Sequence, residues 1–263
     1  PNGAQTVHHR AEAMKLAYAD RAEYLGDPAF VSVPLAGLTS KKYADTLAQQ
    51  IRPDSARSAQ TIKPGQPLLF ESDQTTHYSV VDQAGNMVAV TYTLNTNFGS
   101  GIVADGTGIL LNNEMDDFSA KPGVPNAYGL VGGAANAVAA GKRPLSSMTP
   151  TLVLKDQQPW LVTGSPGGAR IITTVLQQIV NGIDFGMNPA EAAATVRFHH
   201  QWMPDELRVE KGFSSDTLHL LRQKGQNVVV KPAMGRTQTI QVQGQALWGY
   251  SDPRNPDGLT LGY

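Results

Sequence analysis

The sequence predicts a mixed α+β fold with layered sheets, because beyond the opening helices strand patterns are followed by helices and then by strands again. Three observations carry this. Val7, Ala11, Met14 and Tyr18 recur at spacings of three and four, the period of a helix face, over residues 4–24. Val80, Val88 and Val90 alternate with Ser79, Ala89 and Thr91 on either side of Asp82-Gln83-Ala84-Gly85-Asn86, which reads as two antiparallel strands joined by a tight turn. The apolar run Ile171, Ile172, Val175, Leu176, Ile179 and Val180 follows a glycine pair and predicts a buried helix opened by Gly168.

The remaining elements follow in order. A second helix is expected over Lys41 to Ile51. Residues 52–74 contain Pro53, Pro64, Gly65 and Pro67 and predict an extended, flexible linker. Residues 119–145 are rich in Gly, Pro and Ala without a clear period, the composition of a lid. Thr151–Leu154 and Trp160–Thr163 read as paired strands around Asp156-Gln157-Gln158-Pro159. Asn188 caps a helix with Pro189 in its first turn. Ser215–Lys224 is a helix stopped by Gly225. Val228–Val230, Thr237–Val242 and Leu247–Tyr250 are closing strands, and no internal repeat interrupts the series.

Composition narrows the function classes. A formal net charge of −1 gives no electrostatic case for nucleic acid or an anionic membrane surface. No apolar run of about 18 residues marks a membrane span. With a cysteine count of 0, disulfides, thiol nucleophiles and cysteine-ligated zinc are excluded. No spaced His and carboxylate set argues for a metal, and no cofactor is expected.

Thr75, at the head of the first strand, is the candidate nucleophile. A threonine hydroxyl needs a base, and a free α-amine on the same residue, with an intrinsic pKa of about 8, is one such base. A cut at Gln74–Thr75 would create it. Thr93 and Asn95 lie near the end of the second strand, where a hairpin returns them beside Thr75. On the hairpin alone, threonines that merely pack or pair are the commoner reading. Gly167 and Gly168 precede a helix start whose N–H groups are unpaired, which suits an oxyanion or, alternatively, a phosphate; the lysine and spacing of a phosphate loop are absent. Glu114, Asp116 and Asp117 read by themselves as a solvated acidic turn or a weak divalent-ion site. His77, His199 and His200 read as structural.

The run from Thr75 to Gly99, closed by Asn95-Thr96-Asn97-Phe98-Gly99, resembles the signature of the γ-glutamyltranspeptidases. Further motifs resemble the family in the family's order: Asp20-Arg21, Tyr24-Leu25-Gly26-Asp27-Pro28, Leu111–Phe118, Lys142–Met148, Gly164–Gly168 and Arg197–Trp202. The resemblance covers almost the whole chain. It implies a four-layer αββα sandwich of the N-terminal nucleophile hydrolase type and a precursor that cuts itself before the catalytic threonine. Residues 1–74 would then be the tail of a large subunit whose earlier part is missing, and 75–263 the small catalytic subunit. The implied reaction is hydrolysis and transfer of γ-glutamyl groups, glutathione included, through a γ-glutamyl–threonine ester. Thr93 would orient the nucleophile, and Gly167 and Gly168 would hold the oxyanion. Asn95, Glu114 and Asp117 would take the substrate ammonium, Ser146 and Ser147 its carboxylate, and Tyr128 would be the lid residue. Partners would be small γ-glutamyl compounds, amino-acid or peptide acceptors, and the large subunit. A periplasmic or secreted location is implied. A cephalosporin acylase of the same family, or an unprocessed non-catalytic fragment, are the alternatives.

Overall fold

The structure, a computed structural model, describes residues 1–63, 75–127 and 129–263. The expected cleavage residue Gln74, the end of the expected linker and the expected lid residue Tyr128 lie outside the described residues.

In chain order the elements are α1 (Ala4–Tyr24), α2 (Leu35–Leu38), α3 (Lys41–Ala48), β1 (Thr76–Val81), β2 (Met87–Tyr92), β3 (Thr151–Lys155), β4 (Gln158–Thr163), α4 (Ile171–Ile183), α5 (Pro189–Ala194), β5 (Phe198–His199), β6 (Leu207–Val209), α6 (Ser215–Gln223), β7 (Val228–Val230), β8 (Gln238–Gln243) and β9 (Ala246–Ser251). The class is α+β. Among the described residues two compact units form, one from 1–63, 114–146 and 198–232, the other from 75–113, 147–197 and 233–263.

The first unit is built on α1. Val7, Ala11 and Met14 pack with Phe198, Leu207, Val209 and Leu221 into its apolar core. A three-stranded sheet, ordered β5-β6-β7, lies against this helix layer; β5 and β6 were not anticipated, being too short to show a period. Ser214 caps α6 by accepting from Thr217 N, and Gly225 ends it at φ 85°.

The buried surface of α1 is wider than one apolar stripe, because His8, Glu12 and Lys15 are also buried. Lys15 Nζ donates to Glu12 Oε1 at 2.8 Å and to Arg57 O at 2.8 Å. Gln226 Nε2 donates to Glu12 Oε1 at 3.0 Å, and Asp205 Oδ2 accepts from Ala59 N at 2.8 Å. Trp202 Nε1 donates to Ala59 O at 2.9 Å. These bonds correct the expectation of a flexible linker from residue 52: the stretch through Ile62 is fastened by buried polar groups, and Ala59 and Ile62 are themselves buried. Helix α3 also stops at Ala48 rather than Ile51. Past Ala48 the bonds span three residues, Gln50 N to Leu47 O and Ile51 N to Ala48 O, both at 3.0 Å, so the helix closes in a tighter turn.

The second unit stacks a hairpin, a sheet and two helices. Strands β1 and β2 pair from Thr76↔Tyr92 to Val81↔Met87. The four-stranded sheet runs β3-β4-β8-β9 with every neighbour antiparallel. The hairpin packs on β3, β4 and β8, while α5 covers β8 and β9 and packs on α4. Asp156 and Gln157, at φ 52° and 62°, form the whole β3–β4 turn, so Gln158 and Pro159 belong to β4 and not to the turn predicted there.

Two apolar patterns are incomplete guides to the buried face. In α4 Ile171 and Val175 are buried, but Leu176 is 43% exposed, and Thr173, Thr174, Gln177, Gln178 and Asn181 fill the inner face. In the hairpin the even positions face outward: Tyr78, Val80, Val88 and Tyr92 are 52%, 49%, 48% and 63% exposed. The inner face carries His77, Ser79 and Thr91 instead, joined by hydrogen bonds that the sheet below completes.

Candidate active site

The hairpin register dictates the first feature of the site. Extending the Thr76↔Tyr92 pairing by one step sets Thr75 opposite Thr93, on the inward face shared with His77 and Thr91. Thr75 Oγ1 donates to Thr93 Oγ1 at 3.2 Å. Asn95 N donates to the same Thr93 oxygen at 2.9 Å. The Thr93 hydroxyl is thereby held from behind while it meets the Thr75 hydroxyl in front.

Asn95 ends the strand in the left-handed region, at φ 75°, and is 2% exposed. Asparagine tolerates that conformation better than most residues. Its Nδ2 donates to Asn113 O at 3.1 Å, and Asn113 N donates to Leu94 O at 3.1 Å. Asn113 Oδ1 accepts from Thr96 N and Thr96 Oγ1, both at 3.1 Å. Asn113, which sequence reading did not single out, therefore fixes the corner that carries Asn95.

Gly167 and Gly168 follow β4 and open α4 through a short 3-10 turn. Their φ values, 139° and 54°, lie in the positive region that favours glycine. The loop is tied to the nucleophile strand by His77. A side chain at Gly164 would meet the His77 ring at 2.2 Å, so the ring sits directly on the end of β4. His77 Nδ1 lies 2.8 Å from Thr91 Oγ1, and Nε2 lies 3.2 Å from Ser79 Oγ, which donates to Gln238 O at 2.8 Å. Burial lowers the His77 pKa to about 4, so the ring is neutral near pH 7 and works as a packed spacer. His199 and His200 are buried in the first unit, against Gln201 at 2.8 Å and Asp205 at 3.4 Å respectively.

The second unit thus carries Thr75, Thr93, Asn95, Ser147, Gly167 and Gly168. The first unit carries Glu114, Asp117 and Ser146. Glu114 and Asp117 open and close one 3-10 turn and hydrogen-bond each other. Burial, then the Glu114 charge and hydrogen bond, push Asp117 up to about 7, against the pull of Arg21. Burial raises Glu114 as well. Asp116 turns away and accepts from Ala127 N at 2.8 Å. Among the described residues no group of three or more His, Asp or Glu is placed to hold a metal ion, and no helix is long and apolar enough to cross a membrane.

Two further contacts shape the first unit's contribution. Asn136 Nδ2 donates to Asp117 O at 2.7 Å, while Asn136 Oδ1 accepts from Leu145 N at 3.0 Å. The Asp27 carboxylate accepts from Arg143 N, Nε and Nη2 at 3.0, 3.1 and 2.7 Å. Sequence reading missed both, although Asn136 is the one polar side chain between Leu130 and Gly141, which is a usable signal.

A threonine pair at the open end of a hairpin, a glycine turn at a helix start and an α+β scaffold belong to the fold class of the N-terminal nucleophile hydrolases, and solved structures of that fold resemble the chain. The chain belongs to the gamma-glutamyltranspeptidase family, whose sequence model matches residues 1–261. It is 66% identical over 261 residues to a glutathione hydrolase proenzyme of Escherichia coli K12, covering 99% of this chain and 45% of that protein. A gamma-glutamyltranspeptidase from Pseudomonas nitroreducens, solved in complex with L-DON, superposes with a TM-score of 0.69 at 45% identity, over 72% of this chain and 100% of that one. A cephalosporin acylase from Bacillus halodurans superposes with a TM-score of 0.80 at 31% identity, over 95% of this chain and 44% of that one. The chain therefore spans about half the length of the curated relatives it matches.

Proposed function

We propose that the chain is the catalytic part of a γ-glutamyl hydrolase and transferase that matures by cutting itself between Gln74 and Thr75. The observation that carries the reading is the hydroxyl pair: Thr75 Oγ1 donates to Thr93 Oγ1, which Asn95 N holds in turn. In maturation the Thr75 hydroxyl attacks the Gln74 carbonyl. The peptide bond breaks as an ester forms on Oγ, which frees the Thr75 amine, and water hydrolyses that ester, restoring the Thr75 hydroxyl and leaving a carboxylate on Gln74. The match to the Pseudomonas nitroreducens chain supports this division, because residues 75–263 are also 72% of the sequence.

In turnover the free amine takes the Thr75 hydroxyl proton as Oγ attacks the γ-carbonyl of the substrate. The N–H groups of the Gly167–Gly168 turn stabilise the oxyanion, a contribution of roughly 3 kcal/mol per donor. The proton passes to the leaving amine, and a γ-glutamyl ester remains on Thr75. Water then completes hydrolysis, or an amino acid or peptide amine completes transfer. Asp117, Glu114 and Asn95 read the substrate ammonium, and Ser146 and Ser147 read its carboxylate. Tyr128 serves as the lid. Location in the periplasm or outside the cell belongs to the same reading.

The acylase alternative has weaker support, at 31% identity against 66% for the glutathione hydrolase proenzyme. An acidic pair suits an ammonium-bearing head group and not a glutaryl one. The test uses the full-length gene product. The wild type should give two bands on a denaturing gel, the smaller beginning Thr-Thr-His, and should release p-nitroaniline from γ-glutamyl-p-nitroanilide. Thr75→Ala should stay uncut and inactive. An intact wild-type product that turns over the anilide would contradict the mechanism.

A further inference from the structure

We infer that Asn136 is a positioning residue that sets the spacing between the two ends of the substrate head-group site. This rests on the reading above, in which Asp117 meets the ammonium and Ser146 the carboxylate. Asn136 is 5% exposed and spends both ends of its amide. Nδ2 donates at 2.7 Å to the carbonyl of Asp117 itself, and Oδ1 accepts at 3.0 Å from the N–H of Leu145, the residue directly before Ser146. One side chain therefore gauges the distance between the backbones that carry the two recognition groups.

The surroundings hold the gauge still. Asn136 sits in a 3-10 turn over Ala134–Asn136, and its own carbonyl accepts from Ser119 N at 2.9 Å, just beyond Asp117. A side chain at Gly132 would meet Ser119 Oγ at 1.9 Å, so the two segments lie in direct contact. Beyond Leu145, Pro144 has no N–H, and the next donor back, Arg143 N, is held by Asp27 Oδ2 at 3.0 Å. The segment leading to Ser146 is thus pinned at two points, and Leu145 N is the one adjacent to the recognition serine. Because a two-ended head group is read only if both ends fit together, an error in this spacing weakens binding more than the chemical step.

The experiment uses the full-length gene product with γ-glutamyl-p-nitroanilide. Asn136→Ala should process into two bands, raise KM by about tenfold, and change kcat by less than about threefold. Adding Asn136→Ala to Ser146→Ala should cost little more than Ser146→Ala alone, because the gauge then has nothing to place. Asn136→Asp keeps the acceptor for Leu145 N, loses the donor to Asp117 O, and brings a carboxylate towards Asp117. It should raise KM and move the pH midpoint of substrate binding upward. An unchanged KM, equal losses in kcat and KM, full additivity with Ser146→Ala, or failure of both variants to process would each overturn the proposal. If Asp117→Asn and Ser146→Ala leave KM unchanged in the otherwise wild-type protein, the head-group reading itself fails, whatever Asn136 does.

Discussion

Two carboxyl groups on one short turn, Glu114 and Asp117, cannot both ionise without repelling each other. Burial and the Glu114 charge push Asp117 from an ordinary 3.8 up to about 7. The folded chain holds that proton longer than the unfolded chain, so this pair costs stability progressively as pH rises from about 4 towards 7. An ammonium-bearing ligand reverses the preference, because it binds the ionised acid. The inhibition constant of L-glutamate should therefore weaken by about tenfold between pH 8 and pH 6. Glu114→Gln removes the neighbouring charge and should move the midpoint to lower pH, read from the same competition assay. A binding constant flat over that range would contradict the assignment. Inhibition constants report this titration separately from the Thr75 amine, which acts in kcat. At this scale the hairpin pattern and the glycine pair before a helix brought Thr75, Thr93, Asn95, Gly167 and Gly168 forward, while substrate roles for Glu114, Asp117, Ser146 and Ser147 came only through ordered motifs. What it could not supply were the long-range partners, such as Asn113 with Asn95 and Asn136 with Leu145. Those depend on loops that meet in space without any periodic trace.

The hairpin shows how an element places chemistry. Its turn is held by Asp82, whose Oδ1 accepts from Asn86 N at 2.8 Å and Oδ2 from Asn86 Nδ2 at 2.7 Å, and by Gly85 at φ 83°. That turn sets the register, and the register sets Thr75 against Thr93. Inserting one residue between Ala84 and Gly85 shifts the pairing by one and turns Thr93 to the other face. The insertion should leave the full-length product uncut, or cut but with kcat lowered by at least about a hundredfold, measured on γ-glutamyl-p-nitroanilide. Wild-type turnover would contradict the role of the register. The strands and their turn were legible from alternation and from Asp82-Gln83-Ala84-Gly85-Asn86. The inward face was not, because the buried side carries histidine, serine and threonine while valines and tyrosines face out. Alternation gives a face its period; burial depends on what lies across from it, and a neutral, hydrogen-bonded His77 fits beneath the hairpin where Gly164 leaves room.

At the scale of the whole molecule, the first unit joins residues on both sides of the proposed cut. Glu12, Lys15, Arg57 and Ala59 precede Thr75; Asp205 and Gln226 follow it, and all are linked in one polar network around the buried Lys15–Glu12 pair. The two pieces should therefore copurify without denaturant. Lys15→Met leaves Glu12 without its buried cation and should destabilise the mature protein by roughly 3–5 kcal/mol, measured by urea unfolding; a loss under about 1 kcal/mol would contradict the network's importance. The α+β class and the order of elements were readable from spacing and turn chemistry. The fastening of residues 52–62 was not, since a proline-marked segment looks the same whether it is free or nailed down by side chains elsewhere in the chain. The most direct test of the central claim is a rapid acid quench of the mature protein during turnover of γ-glutamyl-p-nitroanilide, followed by peptide mass spectrometry. The account predicts that the peptide beginning at Thr75 carries one added γ-glutamyl group, removable by hydroxylamine; the label on another residue, or turnover with no label and no free Thr75 terminus, would contradict it.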